Sequence, residues 1–318
     1  MTRRALLVGT AFLFLSSVSA PLYGWGSATH AHIAREVGDQ QGPAALQQIY
    51  GALLPDVFNV MFGDPYQEPL WTLTHYEFMQ LVDKAESPND KALAFGIASH
   101  NEAWGADRTA HISAIGQPGS GYVIRKSDEL AATLGPQVRL FLLFSGVPNP
   151  STVIDEVLPA VAHAAIETAV DLLVCQNQDP DLGQRLVLAA RTRGWSAPIL
   201  LCKAYAADLA TTAGTTEAVA APLIVAAESE FQLQIELYGT ALSQPNPIDA
   251  LTQQGAELAK QLLAAKEGMI VDIPVDLMKQ ILDAATDAVK DDYAAELAAT
   301  ITQVRQEMQS HAITSPAL

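Results

Sequence analysis

Cysteine is nearly absent from this chain of 318 residues, which contains only Cys175 and Cys202. Both lie in apolar runs, so the sequence leaves open either a disulfide in an exported protein or two buried free thiols. Neither cysteine neighbours a histidine, and the chain has no Gly-x-Ser-x-Gly motif and no glycine-rich phosphate loop. A covalent intermediate on serine or cysteine is therefore not expected.

Basic and aromatic residues are also scarce. Lysine and arginine together number 18 against 35 acidic residues, which gives a formal net charge of −17, and aromatic residues make up 7% of the chain. This balance argues against a protein that holds a nucleic-acid backbone on a basic surface. It leaves open an enzyme that reaches phosphate through metal ions.

After the N-terminus, no segment offers about 18 uninterrupted apolar residues, the length needed to span a membrane. At the N-terminus, two arginines precede an apolar stretch from Ala5 to about Leu15, which is typical of a secretory signal peptide. A lone membrane anchor is the alternative. Because Pro21 disfavours the first small-residue cleavage site, we predict cleavage after Gly24, which makes residues 1–24 the signal peptide. The mature chain would then begin at Trp25 and be soluble, either secreted or periplasmic.

Helical periodicity dominates the remaining sequence, of which enough is apolar (49% of the whole chain) to form a sizeable core. Clusters of helix-breaking residues at 116–121, 145–151, 176–181 and 243–247 are predicted to be loops between helices. The best strand candidate is the heptapeptide SGYVIRK at 120–126. The sequence therefore predicts an all-α, multi-helix bundle.

The histidines are distributed unevenly along the chain. Six of the seven lie between His30 and His163, and the seventh is His311, near the C-terminus. We therefore predict a metal-binding helical core at 25–180. The region at 181–318 is predicted to be helical, and it either completes the bundle or forms an appended lobe.

Potential metal ligands are concentrated in residues 94–111, AFGIASHNEAWGADRTAH. Within this segment His100, Trp104, Asp107 and His111 lie at offsets of 0, 4, 7 and 11. On a continuous helix all four would share one stripe, which is normally apolar and faces a core.

A second group of ligands interrupts another apolar helix, where His163 and Glu167 are one turn apart. A single pair of this kind is more typical of a hydrogen bond than of a metal site. Asp107 and His111 have the same spacing. Two such pairs on apolar helices call for compensation, because a buried charge without a partner costs several kcal/mol, and a shared cation supplies it. Nitrogen and oxygen donors favour zinc. Trp104 is interpreted as a packing residue, and Glu102 as pointing to another face.

The order of these residues resembles that of the zinc-dependent phospholipase C and S1/P1 nuclease superfamily, an all-helical family with a three-zinc cluster. Mature chains of that family begin with a tryptophan that binds zinc through its amino group and carbonyl oxygen, and WGSATH supplies Trp25 and His30. An aspartate and a histidine follow in the family, matched by Asp56 and His75. A helix with His, Asp and His and a His-x-x-x-acid pair complete the pattern, so the resemblance covers 25–167.

The resemblance implies two or three zinc ions and a specific set of ligands. These are Asp56, His75, His100 and Asp107 at one ion; Trp25 and His30, with Asp107 bridging, at a second; and His111, His163 and Glu167 at a third.

One element departs from the family pattern. The family helix has His-x3-Asp-x5-His, whereas this chain has His-x6-Asp-x3-His, with Trp104 at the usual aspartate position. On a straight helix His100 and Asp107 would be about 10 Å apart along the axis. A bulge at Gly105 would shorten that separation; otherwise Asp107 would serve with His111, and the cluster would hold two zinc ions.

The resemblance implies a secreted zinc-dependent phosphodiesterase of the phospholipase C type, which hydrolyses glycerophospholipids through zinc-activated water that Asp56 orients or deprotonates. Glu167 as the last ligand and the acidic composition favour this function, whereas the spacing of Trp25 and His30 favours a single-strand nuclease. A third alternative is a non-catalytic helical protein that binds lipid or protein through an altered metal site. Phospholipid is the predicted partner, with peripheral membrane contact, and nucleic acid is expected only if the nuclease alternative holds.

Overall fold

A computed structural model describes residues 24–38, 40–61, 63–268 and 270–315. Within these residues the chain forms helices and connecting loops and no strand, so the predicted all-α class is confirmed. The α-helices of the first half are α1 (Ser27–Val37), α2 (Gly42–Leu53), α3 (Gln67–Tyr76), α4 (Met79–Lys84), α5 (Pro88–His100), α6 (Tyr122–Phe144), α7 (Pro150–Glu156) and α8 (Leu158–Asn177). Those of the second half are α9 (Leu182–Thr192), α10 (Ser196–Thr212), α11 (Glu217–Leu242), α12 (Pro247–Glu267), α13 (Val275–Val289) and α14 (Tyr293–Ser310). The predicted signal peptide, residues 1–24, lies outside the described residues apart from Gly24.

The strand candidate at 120–126 is wrong, because this segment begins the long helix α6. The buried positions of α6 include Tyr122, Leu130, Leu134 and Val138, which recur at multiples of four residues. That spacing places them on one face of a helix. The short β-branched run at the start of α6 was therefore a weaker signal than the periodicity that follows it.

Helices α2 and α5 pack closely because each presents a glycine to the other. A Cβ at Gly51 would collide with the carbonyl of Leu93, and one at Gly96 would collide with the backbone of α2. A capping box between Ser87 and Asp90 fixes the start of α5. The close packing brings His100, at the end of α5, against the end of α2.

The C-terminal helices pack against the first half of the chain. Helix α9 contacts α2, α11 contacts the 3₁₀ segment Leu54–Val60, α13 contacts α8 and α14 contacts α1. Buried apolar side chains from both halves form one continuous core within the described residues. Both cysteines, Cys175 and Cys202, are partly buried free thiols.

Helix α8 is long and apolar enough to cross a membrane by length and composition alone, and it is the only such helix among the residues that the structure describes. However, 72% of its most apolar stretch is buried inside the fold. This burial is typical of a core helix. On α8, His163 is buried and Glu167 is half-buried.

Candidate metal centre

The nine predicted ligands come from seven different parts of the fold and lie around one region. They are Trp25 immediately before α1, His30 on α1, Asp56 on the 3₁₀ segment, His75 on α3, His100 on α5, Asp107 and His111 in the segment after α5, and His163 and Glu167 on α8. Seven of the nine are buried, and His111 and Glu167 are partly buried. Three sets of these side chains bring donor atoms within 4.8 Å of one another, so each set could hold a metal ion.

The segment is not one straight helix: it is interrupted at 101–105, which includes the position of the bulge suggested at Gly105. Helix α5 ends at His100, and the chain turns before a short π-helical segment, Arg108–Ile112. The side-chain oxygen of Asn101 accepts hydrogen bonds from the backbone N–H groups of Trp104 and Gly105, which stabilises the turn. As a result, Oδ2 of Asp107 lies 2.8 Å from Nε2 of His100, instead of the approximately 10 Å expected on a straight helix.

The first set consists of Asp56, His75 and His100. The two Nε2 atoms of the histidines lie 3.3 Å apart, and Oδ1 of Asp56 lies 3.9 Å from His75 and 3.8 Å from His100. Nδ1 of His100 donates to the carbonyl of Ala52 at 2.8 Å, and Nδ1 of His75 donates to the carbonyl of Trp71 at 3.1 Å. Because a carbonyl can only accept, Nδ1 carries a proton in both rings, so each ring presents the lone pair of Nε2 to the centre once it is neutral.

Asp107 links the first set to the second, which consists of His30, His100 and Asp107. Its Oδ1 atom lies 3.0 Å from Nε2 of His30, and its Oδ2 atom lies 3.3 Å from Nε2 of His75. A Cβ built on Gly24 would lie 3.2 Å from both Oδ1 of Asp107 and Nε2 of His30. The chain at the predicted cleavage point therefore passes directly beside these two ligands.

The third set consists of His111, His163 and Glu167. Nε2 of His163 lies 2.9 Å from Oε1 of Glu167, and the rings of His111 and His163 are 5.7 Å apart. Nδ1 of His111 donates to Oε1 of Glu102 at 2.6 Å. The prediction that Glu102 points to another face is therefore wrong, because the turn after His100 redirects its carboxylate toward His111.

Trp25 and the adjoining start of α1 are both held by contacts from other segments. The indole nitrogen of Trp25 donates to the carbonyl of Ala106 at 3.1 Å and lies 3.0 Å from the hydroxyl of Thr109, and the ring stacks on Tyr122. On the other side, the carboxylate of Asp171 caps α1 from a different helix. It accepts hydrogen bonds from the backbone N–H groups of Ala28 and Thr29, and from the hydroxyls of Thr29 and Tyr238. Sequence analysis missed Asp171, although a buried acid one turn after Glu167 was a signal for it.

Charges in the centre depend on burial and on neighbouring groups. Burial disfavours the charged form of His100, but the carboxylates of Asp107 and Asp56 together raise its pKa to about 9. Burial lowers the pKa of His30 to about 4 and raises the pKa of Asp56 to about 8. Burial also acts against ionisation of Asp107, yet His100 and His30 hold its pKa well below the usual range. Asp107 is thus a buried carboxylate surrounded by histidines.

Trp104 is a packing residue, as predicted. Its side chain is 9% exposed, its ring packs edge-on against Phe78, and it stacks on His311 at a centroid separation of 5.0 Å. His311 belongs to none of the possible metal-binding sets found among the described residues.

The donor set fits zinc. Two imidazole nitrogens of one tetrahedral zinc ion, each at about 2.0–2.1 Å, are separated by about 3.3 Å, and the Nε2 atoms of His75 and His100 are 3.3 Å apart. Oδ1 of Asp56 and both carboxylate oxygens of Asp107 are buried and lack a well-oriented hydrogen-bond partner. Buried carboxylate oxygens are normally satisfied, so a cation would complete their coordination.

The described residues thus define an all-α protein with buried histidine and carboxylate sets that could hold metal ions. Comparisons with protein-family models, curated proteins and solved structures found no match for this chain. The resemblance to the phospholipase C and S1/P1 nuclease superfamily therefore depends on the ligand types and their order.

Proposed function

We infer that this chain is an exported zinc-dependent phosphodiesterase of the phospholipase C type, which hydrolyses glycerophospholipids. The observation that carries this function is the convergence of three ligand sets in one region, where Asp107 contacts His30, His75 and His100 of the first two sets. Bound zinc would supply Lewis-acid activation of the phosphate and of an attacking water.

The side chains of the protein would orient the zinc ligands and accept the proton of the attacking water. His75 and His100 are held by backbone carbonyls, so their Nε2 atoms are fixed before any ion binds. Asp56 lines both the first ligand set and a cleft that reaches the protein surface. With Oδ1 directed at the ligand set, the other carboxylate oxygen of Asp56 would accept a proton from water that attacks a phosphate in that cleft.

The lining of the cleft favours lipid over nucleic acid. Among the described residues, no lysine or arginine lines it. A single-strand nuclease usually combines a basic groove with stacking aromatic residues. The nuclease remains the second candidate because Trp25 and His30 have the spacing of the nuclease branch.

The test uses zinc-loaded protein that begins at Trp25, assayed on phosphatidylcholine and on single-stranded DNA. We expect release of diacylglycerol and phosphocholine, and we expect Asp56→Asn to lower kcat by at least about 100-fold, the contribution typical of a general base. Asp208→Asn, which changes an exposed carboxylate outside the ligand sets, is the matched control. Cleavage of DNA alone would contradict the proposal in favour of the nuclease, and cleavage of neither substrate would favour the non-catalytic alternative.

A further inference from the structure

A cleft of about 520 Å³ extends from the candidate metal centre into the C-terminal half of the chain. At one end its wall is formed by Trp25, Asp56 and Glu167, which belong to the predicted ligands of three different ions. The cleft and the metal centre are therefore continuous, so a molecule that reacts at the centre would extend into the cleft.

The floor of the cleft is apolar and is built by three helices that carry none of the predicted ligands. Phe231 and Ile235 come from α11, Leu251 from α12, and Met278 and Leu282 from α13. All five side chains are at most 7% exposed. Such a surface provides contacts for hydrocarbon and no hydrogen bonds.

The rim of the cleft has the opposite character. Gln234, Gln254, Glu257 and Gln261 line it and are exposed to solvent. An apolar floor beneath a polar, uncharged or acidic rim suits an alkyl chain that lies along the groove. It does not suit a polyanion, because an anion would require positive charge along the wall.

We propose that this cleft binds an acyl chain of the substrate along α11, α12 and α13, with the phosphate at the metal centre. The inference rests on the proposed phosphodiesterase function for its substrate, but the chain-binding site is a separate physical claim. A cleft of this volume falls within the range of about 300–1,000 Å³ that is usual for small-molecule sites.

Gly255 on α12 controls the width of the cleft. It lines the cleft, and a Cβ at this position would meet only the flexible end of Met278, at 3.0 Å. A leucine here would therefore project into the groove. The backbone at residue 255 is helical, so the substitution does not require an unfavourable conformation. Leucine also favours helix more than glycine does.

The experiment separates chain binding from hydrolysis. Alkyl glucosides of increasing chain length, which contain no phosphodiester, are titrated below their micelle concentrations into zinc-loaded protein that begins at Trp25. We expect affinity to rise about fourfold per methylene until the cleft is filled. Gly255→Leu should end this rise at a shorter chain and weaken binding of the longest chains by about tenfold or more.

Two further variants make the result specific. Gly135→Leu replaces another partly buried helical glycine, on α6, where a Cβ would meet only Leu158 at 4.0 Å, and it should bind like the wild type. Leu258→Gln makes the cleft wall polar without adding bulk, and it should weaken long-chain binding even if Gly255→Leu folds poorly. The kcat/KM for phosphatidylcholines of increasing acyl length should follow the same order of variants.

The outcomes distinguish the two claims. Chain-length-dependent binding without hydrolysis of any phospholipid would overturn the proposed function and support the chain-binding site. Hydrolysis that is independent of chain length and unchanged in Gly255→Leu and Leu258→Gln would overturn the chain-binding site and support the function. Binding that is equally weak for every chain length would also overturn the chain-binding site.

Discussion

Nε2 of His100 lies 2.8 Å from Oδ2 of Asp107, although seven positions separate the two residues and helix α5 ends between them. The same carboxylate lies 3.0 Å from His30 and 3.3 Å from His75. Asp107 is fully buried, so its charge must be balanced by these histidines or by metal ions. This arrangement makes Asp107 the residue on which the centre most depends.

Replacement of Asp107 by asparagine should remove the metal held by the first two ligand sets and leave that of the third. The amide is isosteric but a poor zinc ligand, so we expect zinc content to fall to that of the set containing His163 and Glu167. Elemental analysis of the purified variant measures this. The control is Asp208→Asn, and unchanged zinc content in Asp107→Asn would contradict the proposed role.

Glu102 should strengthen zinc binding at the third ligand set through its hydrogen bond to His111. Its carboxylate accepts the Nδ1 proton of His111 at 2.6 Å, which orients the ring and makes Nε2 a stronger donor. We expect Glu102→Gln to weaken zinc binding at this set by about 10–100-fold, the usual effect of such a partner. Competition with a coloured chelator measures the affinity, and the exposed neighbour Glu77 supplies the control variant Glu77→Gln. Equal affinities in the two variants would show that Glu102 has no such role.

Zinc binding should be strongly pH-dependent. In the metal-free protein the carboxylates of Asp107 and Asp56 overcome burial and raise the pKa of His100 to about 9, and burial raises the pKa of Asp56 to about 8. Both groups must lose a proton before they can bind zinc, so affinity should rise with pH and level off above about 9. Near pH 7 we expect an increase of at least about tenfold per pH unit, accompanied by proton release into a weakly buffered solution. A flat profile from pH 6 to 9 would contradict these protonation states.

Asp171 should stabilise the start of α1. It accepts backbone hydrogen bonds from Ala28 at 2.9 Å and from Thr29 at 2.7 Å, and thus caps α1 next to Trp25. Asparagine has one acceptor oxygen in place of two, so Asp171→Asn should lower the free energy of unfolding by about 1–2 kcal/mol. Urea denaturation measures the change, and Asp208→Asn should leave it within about 0.5 kcal/mol. A variant as stable as the wild type would show that the cap contributes little.

The helical class and the candidate ligand pairs on apolar helices could be predicted from the sequence because both depend on local patterns. Apolar spacing of three to four residues is enough to indicate helices. Histidines and carboxylates on apolar segments, such as His163 and Glu167, stand out because they are costly to bury alone. Neither inference requires knowledge of how distant segments meet.

The geometry between segments could not be predicted in the same way. The turn after His100 depends on the side chain of Asn101, which bonds to two backbone N–H groups and competes with the helix. Gly105 was a signal for an interruption, but the role of Asn101 was not recognised because helical periodicity continues on both sides. The position of Glu102 follows from this turn, so it was missed for the same reason.

The cleft along the C-terminal helices had no sequence signal at all. Residues such as Phe231, Leu251 and Met278 have the spacing of ordinary core residues, and only tertiary packing leaves room between them. Gly255 could not be recognised from the sequence either, because its proximity to Met278 arises only when α13 packs beside α12.

The number of zinc ions bound per chain shows whether the buried histidines and carboxylates form a metal centre. The chain is produced so that it begins at Trp25, dialysed against trace zinc, and measured by elemental analysis together with His100→Ala. We expect two or three zinc ions per chain in the wild type and a loss of at least one in the variant. A wild-type chain that retains no zinc, or a variant that retains as much as the wild type, would contradict the proposed metal centre.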